Sequence, residues 1–249
     1  MRNVLLFLRA VIFMLGLSAA TALFGSLAFF TIILPRTWRY RLIVTPWGSI
    51  FVWLARAICG IRYRIEGREK LPDGPAVLLS KHQSAWETVA YTALFPRQLC
   101  YVFKRELLYI PFFGWAIALM EMIHINRGRA ADAFEDIVQQ GKRVLEHGKW
   151  VLLFPEGTRT KVGSQGQYKS GGARLALRTD TPVVPIAVNS GECWPRNAFL
   201  KQPGLITISI GDPIPVAEKT PSQLNDQVEA WIENEMRRIS PHAYHHDRG

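Results

Sequence analysis

The first 65 residues contain no aspartate, no glutamate and no lysine, yet they hold eight arginines. The other 22 basic residues face 20 acidic ones, so most of the formal net charge of +10 belongs to the most apolar quarter of the chain. A nucleic-acid binder carries its cations on a polar folded surface, whereas cations flanking hydrocarbon-like sequence belong beside a bilayer. Cysteine is also scarce. Cys59, Cys100 and Cys193 are far apart and form no Cys-x-x-Cys pair, which excludes a disulfide scaffold and leaves three small buried hydrophobes. Low-complexity tracts are absent and hydrophobic residues make up 49% of the chain, so disorder and fibrous repeats are excluded. The chain also lacks a Walker loop, a Gly-x-Ser-x-Gly elbow and a His-Glu-x-x-His zinc helix.

What is present begins with an uncharged run of 25 residues, Ala10 to Leu34, closed by Pro35. About 20 apolar residues cross a bilayer, so the run is long enough to span with some tilt. Ala20-Thr21-Ala22 resembles a signal-peptide cleavage site, but apolar sequence continues for a dozen residues beyond it, which favours an anchor. Arg36, Arg39 and Arg41 follow the run and predict a cytoplasmic location for the rest. A second apolar stretch, Leu42 to Ile61, is broken by Pro46, Gly48 and Arg56 and carries Trp47 and Trp53. It reads as an interfacial or partly buried helix.

After residue 61 the pattern changes. Ile61 to Ile65 alternates like a half-exposed strand, and apolar runs at 76–79, 99–103, 150–154, 183–188 and 205–210 have the length of strands buried on both faces. Phe134, Ile137, Val138 and Leu145 recur at helical spacing before Gly148, and a C-terminal helix starts at Thr220-Pro221 with Gln223 in the capping-box position. The expectation is one α/β domain, residues 61–249, with a largely parallel or mixed sheet, on a membrane-anchoring helical foot, residues 1–60.

Three clusters carry chemistry. Ser80-Lys81-His82-Gln83-Ser84-Ala85-Trp86-Glu87 follows the 76–79 strand, where α/β sheets gather ligand groups. His82 is a natural general base, and Glu87 could hold its second ring nitrogen. Five residues turn a helix by about 500°, so the pair meets only with His82 in the strand-to-helix turn and Glu87 in the helix. By themselves the two residues read better as an exposed loop histidine and an unrelated helix glutamate. Phe154-Pro155-Glu156-Gly157-Thr158-Arg159 follows another buried strand and makes an anion-binding turn, with Lys161, Lys169 and Arg174 nearby. Lys104, Arg105 and Arg127 offer further phosphate partners, and Leu107 to Met120 could line an acyl-chain groove. The tail Pro241 to His246 reads as a disordered terminus without a metal-binding framework.

His82-x4-Glu87, then Lys104-x-Glu106-Leu107 with Pro111, Gly114 and Arg127, then Glu156-Gly157-Thr158-Arg159, then Val184-Pro185-Ile186 resemble the four ordered blocks of the glycerolipid acyltransferases. One position departs: the first block usually carries aspartate where this chain has Glu87, and the extra methylene must be fitted. The resemblance implies transfer of a fatty acyl group from acyl-carrier protein or acyl-CoA to the sn-2 hydroxyl of lysophosphatidic acid in phospholipid biosynthesis. These thioesters are co-substrates; no further cofactor, metal or nucleic acid is implied. It further implies His82 as base, Glu87 as its orienting acid, and Glu156, Gly157, Thr158 and Arg159, helped by Lys104, Arg105 and Arg127, as the grip on the glycerol phosphate. Pro185 would help shape the acyl or oxyanion end, and the enzyme would sit at a bacterial inner membrane with its catalytic domain on the cytoplasmic side. Another lysolipid as acceptor, such as a lyso-ornithine lipid or a lipid A precursor, and a non-catalytic binder of anionic lipid are the competing readings.

Overall fold

A seven-stranded sheet organises the described residues, 2–120, 122–125 and 130–244, of the computed structural model. Its strands are β1 (Ile61–Glu66), β2 (Ala76–Ser80), β3 (Leu99–Lys104), β4 (Ile123–Ile125), β5 (Trp150–Leu153), β6 (Val183–Val188) and β7 (Gly204–Ile210). They lie in the order β1-β7-β6-β2-β5-β3-β4. From β6 to β4 every neighbouring pair is parallel, while β7 runs antiparallel to β6 and carries β1 parallel to itself. The mixed α/β sheet expected from the sequence is therefore present.

The helices are α1 (Arg2–Phe30), α2 (Arg36–Arg39), α3 (Thr45–Ala57), α4 (Trp86–Leu94), α5 (Phe113–Leu119), α6 (Ala130–Glu146), α7 (Gly171–Arg178) and α8 (Pro221–Ile239). Strand alternation sorts them into two layers. Ala76 and Leu78 of β2 face a core completed by α1, α3 and α4; Val77 and Leu79 face one completed by α6, α7 and α8. Both faces of the central strands are covered, which is why they read as unbroken apolar runs. The capping box of α8 forms as predicted, with Thr220 Oγ1 accepting from Gln223 N and the Gln223 side chain accepting from Thr220 N.

The N-terminal foot shares its core with the sheet, so residue 60 does not divide two hydrophobic cores. Phe13, Phe51, Leu54, Ala55 and Cys59 pack in one cluster with β2, β6 and β7. The contacts of α1 also run its whole length, about 43 Å at 1.5 Å per residue. Phe7 meets Phe199, Phe13 meets Trp194, Thr21 accepts from Trp47 Nε1, and Phe29 meets Trp115. On the opposite face Val4, Leu8, Ile12, Leu15, Ala19, Leu23, Leu27 and Phe30 form a continuous exposed apolar stripe. Arg39 donates to the carbonyls of Leu34, Ile32 and Leu119, capping the chain after α1 and the end of α5. The tail is a correction: Pro241–Tyr244 folds back, and Tyr244 is buried, its hydroxyl accepting from Gln83 Nε2 at 2.6 Å. His245 and His246 lie outside the described residues.

Candidate active site

His82 lies in the extended segment between β2 and α4, and Glu87 in the first turn of α4. Ser84 Oγ accepts the Trp86 N–H at 3.1 Å and closes the turn. This bend brings the two side chains together despite their unfavourable helical spacing: His82 Nδ1 lies 2.8 Å from Glu87 Oε1. The same carboxylate oxygen accepts the backbone N–H groups of Gln83 and Ser84 at 2.9 and 2.7 Å, and Oε2 accepts Ser190 Oγ at 2.6 Å. Glu87 is wholly buried, but four polar neighbours keep its charge solvated by protein. The imidazole stacks on Phe154 with ring centroids 3.8 Å apart, which fixes its plane. With Nδ1–H donated to Glu87, Nε2 is the nitrogen left to accept a proton.

The Glu156–Arg159 turn abuts this pair. Gly157 sits at φ 66°, a left-handed conformation that glycine adopts without strain, and a Cβ there would come within 3.0 Å of Lys169 Nζ. Thr160 N donates to the His82 carbonyl at 2.7 Å, and Lys169 N donates to the Pro155 carbonyl at 2.8 Å. A cleft of about 1170 Å³ opens at this point. One end is polar and cationic, with His82, Gly157, Thr158, Arg159 and Lys169; the other is walled by Phe24, Ile43, Trp47, Leu107, Phe113 and Met120 from α1, the 40–44 turn, α3 and the 107–120 segment. Pockets for drug-sized ligands measure roughly 300–1,000 Å³, so this larger volume suits a polar group joined to a long hydrocarbon. The groove expected along 107–120 is real, but more than half of its apolar wall comes from elsewhere.

Other expected site residues sit differently. Glu156 is a correction: its side chain faces inward, where Oε2 accepts the His82 N–H at 2.9 Å and Oε1 pairs with Lys81 Nζ at 2.7 Å. Burial raises its carboxyl pKa, and the Lys81 ammonium partly offsets that effect. It does not line the cleft. Pro185 is another: it is buried in β6, its ring is directed at Gly211 and Trp231 beneath α8, and it touches neither the cleft nor His82. Lys104 ends β3 and Arg105 begins the turn Arg105–Tyr109; Arg127 lies outside the described residues. Sequence reasoning gave no role to Lys81 or Phe154 within its clusters, and it did not single out Ser190 or Glu233. The cysteines are buried and form no disulfide with one another, and burial pushes the Cys193 thiol pKa up to about 11, far from thiolate chemistry at neutral pH.

The acyltransferase family profile matches residues 62–189, which include His82, Glu87, the Glu156–Arg159 turn and Lys169, while the walls from α1, the 40–44 turn and α3, together with Ser190 and α8, lie outside it. The chain belongs to the acyltransferase family. It is 44% identical over 94% of its length to a 1-acyl-sn-glycerol-3-phosphate acyltransferase of Pseudomonas aeruginosa, covering 92% of that protein. The human 1-acyl-sn-glycerol-3-phosphate acyltransferase alpha is 31% identical over 73% of the chain and 66% of its own length. In fold, the crystal structure of the 1-acyl-sn-glycerophosphate (LPA) acyltransferase of Thermotoga maritima superposes with a TM-score of 0.82 at 20% identity, covering 96% of this chain and 98% of that one. This acyltransferase thus has its family's fold from the N-terminal helix onward, and it is an enzyme of lipid biosynthesis.

Proposed function

We propose that this acyltransferase moves a fatty acyl group from acyl-carrier protein or acyl-CoA to the sn-2 hydroxyl of lysophosphatidic acid and releases phosphatidic acid. One observation carries the reading: the His82–Glu87 pair stands at the junction between a cationic pocket and a long apolar chamber. That is the layout of the acceptor, a phosphate beside a free hydroxyl beside a hydrocarbon chain. The relatives named above support the same acceptor.

The alcohol is a poor nucleophile until it loses its proton. His82 Nε2 takes that proton as the hydroxyl oxygen attacks the thioester carbonyl carbon, and Glu87 stabilises the imidazolium that forms. The tetrahedral adduct collapses with cleavage of the carbon–sulfur bond, and His82 returns the proton to the departing thiolate. An ester and a thiol result, with no covalent acyl-enzyme. Arg159 and Lys169 hold the phosphate, and Lys104, Arg105 and Arg127 are expected to assist.

The membrane reading is that the enzyme rests on a single leaflet. Contacts with the folded domain at both ends of α1 favour a helix that stays against it, and its exposed stripe with Trp38 and Trp53 is suited to lie in the interface. The eight arginines of the first 65 residues favour the anionic cytoplasmic leaflet of a bacterial inner membrane. There the cleft draws its acceptor directly from the lipid phase.

The test is turnover by purified protein in mixed micelles, with His82→Ala as control. Phosphatidic acid and free thiol in equal amounts from the wild type, with at least a 100-fold loss in the variant, is the expected result. Thioester consumed equally by both proteins would refute the base. Product formed only with another lysolipid would transfer the assignment to that acceptor.

A further inference from the structure

Behind the base lies a dry ionic cluster. The Lys81 side chain is wholly buried, and its ammonium meets Glu156 Oε1 at 2.7 Å, Glu233 Oε1 at 2.7 Å and the Ser164 carbonyl at 3.2 Å. It donates to Glu233 and to the Ser164 carbonyl, and pairs with Glu156 as an ion. Tyr168 donates to the same Glu233 oxygen at 2.8 Å, and Glu233 belongs to α8, 152 residues beyond Lys81. Glu156 completes the circuit through Oε2, which accepts the N–H of His82. The His82 carbonyl is also engaged, by Thr160 N at 2.7 Å and Thr160 Oγ1 at 3.1 Å. Both backbone groups of the base are therefore held by residues on either side of Gly157-Thr158-Arg159.

A buried ammonium between two carboxylates is costly to desolvate and adds little net stability against an apolar replacement. Its geometry, however, fixes one distance. Lys81 holds Glu156, Glu156 holds the His82 peptide, and Arg159 is three residues on in the same turn. We infer that Lys81, Glu156 and Glu233 form a buried cross-brace that sets the base against the anion-binding turn, with Glu156 a positioning residue that makes no contact with the substrate phosphate. This rests on His82 being the base and Arg159 the phosphate ligand. Acyl transfer needs the hydroxyl within reach of Nε2 while the phosphate is gripped, and misplacement by about 1 Å costs about 100-fold in rate.

The experiment compares Glu156→Ala, Glu156→Gln and the double variant Lys81→Met/Glu233→Gln, which removes the cation together with one of its anions. Melting curves identify the folded proteins. Expected losses in kcat are about 100-fold for Glu156→Ala, about 3-fold for Glu156→Gln, which keeps an oxygen for the His82 N–H, and about 10-fold for the double variant. KM for both substrates should stay within 2-fold throughout. Labelling of His82 by diethyl pyrocarbonate, read by mass spectrometry, should be several-fold faster in Glu156→Ala and in the double variant, and this readout needs no substrate. If Glu156→Ala fails to fold, the other two variants decide. A folded double variant with wild-type kcat and wild-type labelling would overturn the brace, as would an acceptor KM that rises more than kcat falls in Glu156→Gln. Faster labelling alongside a wild type inert toward lysophosphatidic acid would uphold the brace and overturn the acceptor assignment instead.

Discussion

Ser190 Oγ lies 2.6 Å from Glu87 Oε2, and neither side chain reaches water. The serine begins the short turn one residue past β6, so the end of that strand delivers a donor to the far side of the carboxylate that orients His82. Removing it leaves a buried carboxylate one donor short, a deficit of about 1–3 kcal/mol. Ser190→Ala should lower kcat by about 10-fold and leave KM for both substrates unchanged. Steady-state kinetics with lysophosphatidic acid checks this, and a purely KM effect would show that the serine acts elsewhere.

Glu87 itself departs from the aspartate usual at its position, and the pocket is fitted to the longer side chain. Its Oε1 gathers three partners and its Oε2 a fourth. Aspartate draws the oxygens back by about one methylene, so Glu87→Asp should retain measurable turnover with kcat down about 10-fold. Glu87→Gln keeps the length, and its NH₂ group can donate to the Ser190 hydroxyl, but the anion that stabilises the imidazolium is gone. It should therefore be the slower variant. Comparing the two kcat values decides whether charge or reach matters more.

The local parts of this site were legible in the sequence because they span few residues. Both chemical blocks follow apolar runs that became β2 and β5, and the requirement that His82 sit in a turn with Glu87 in the helix is met. What stayed hidden depends on long separations or on orientation. Ser190 is 103 residues from Glu87, and Glu233 is 152 from Lys81. In Glu156-Gly157-Thr158-Arg159 the residue types mark an anion site, but only the turn's geometry sends Glu156 inward and Arg159 toward the cleft. The reversal at β7 likewise leaves no mark, since a strand covered on both faces reads the same in either direction. Hydropathy counted α1 as long enough to span, yet its packed side carries small residues, Ala10, Ala20, Gly25 and Ala28, that bring it flat against the fold.

Arg159 and Lys169 line the cationic end of the cleft, and Gly157 lets the lysine ammonium close over the turn. Arginine binds a phosphate through two parallel N–H bonds, which a single ammonium cannot replace. Arg159→Ala should raise KM for lysophosphatidic acid at least 10-fold while KM for the thioester changes less than 2-fold. Arg159→Lys should recover only part of the loss. Equal shifts for both substrates would make the arginine a structural residue of the turn.

Glu156 also carries a pH signature. Burial raises its carboxyl pKa above the ordinary 4.5, so the folded protein binds its proton more tightly than the unfolded chain does. Its contribution to stability is present below about 4.5 and is lost as pH rises through the higher folded value. Glu156→Gln stays neutral throughout and escapes that loss. Its melting temperature relative to the wild type should therefore be more favourable at pH 8 than at pH 4. The reverse order in a thermal scan series would mean that the Lys81 ammonium outweighs burial at this carboxylate.

Gly25 is where α1 meets the acyl chamber. A Cβ at this position would fall 2.7 Å from both the Cβ and the carbonyl oxygen of Phe112, closer than any real contact. Phe112 cannot yield easily: it already sits at φ 62°, outside the usual range for a side-chain-bearing residue, with its ring against Trp115. It lines the cleft, and the turn that holds it leads directly into α5. Gly25→Ala must therefore push α1 away from the 107–120 segment, at a cost of about 1–3 kcal/mol in stability. The chamber wall shifts with it, whereas His82, Glu87 and Arg159 are held by other elements. Turnover of lysophosphatidic acids with long chains should fall more than that of short-chain ones, with KM for the thioester little changed. A uniform loss across chain lengths would mean that the α1 wall supports the whole fold and does not shape the chamber selectively.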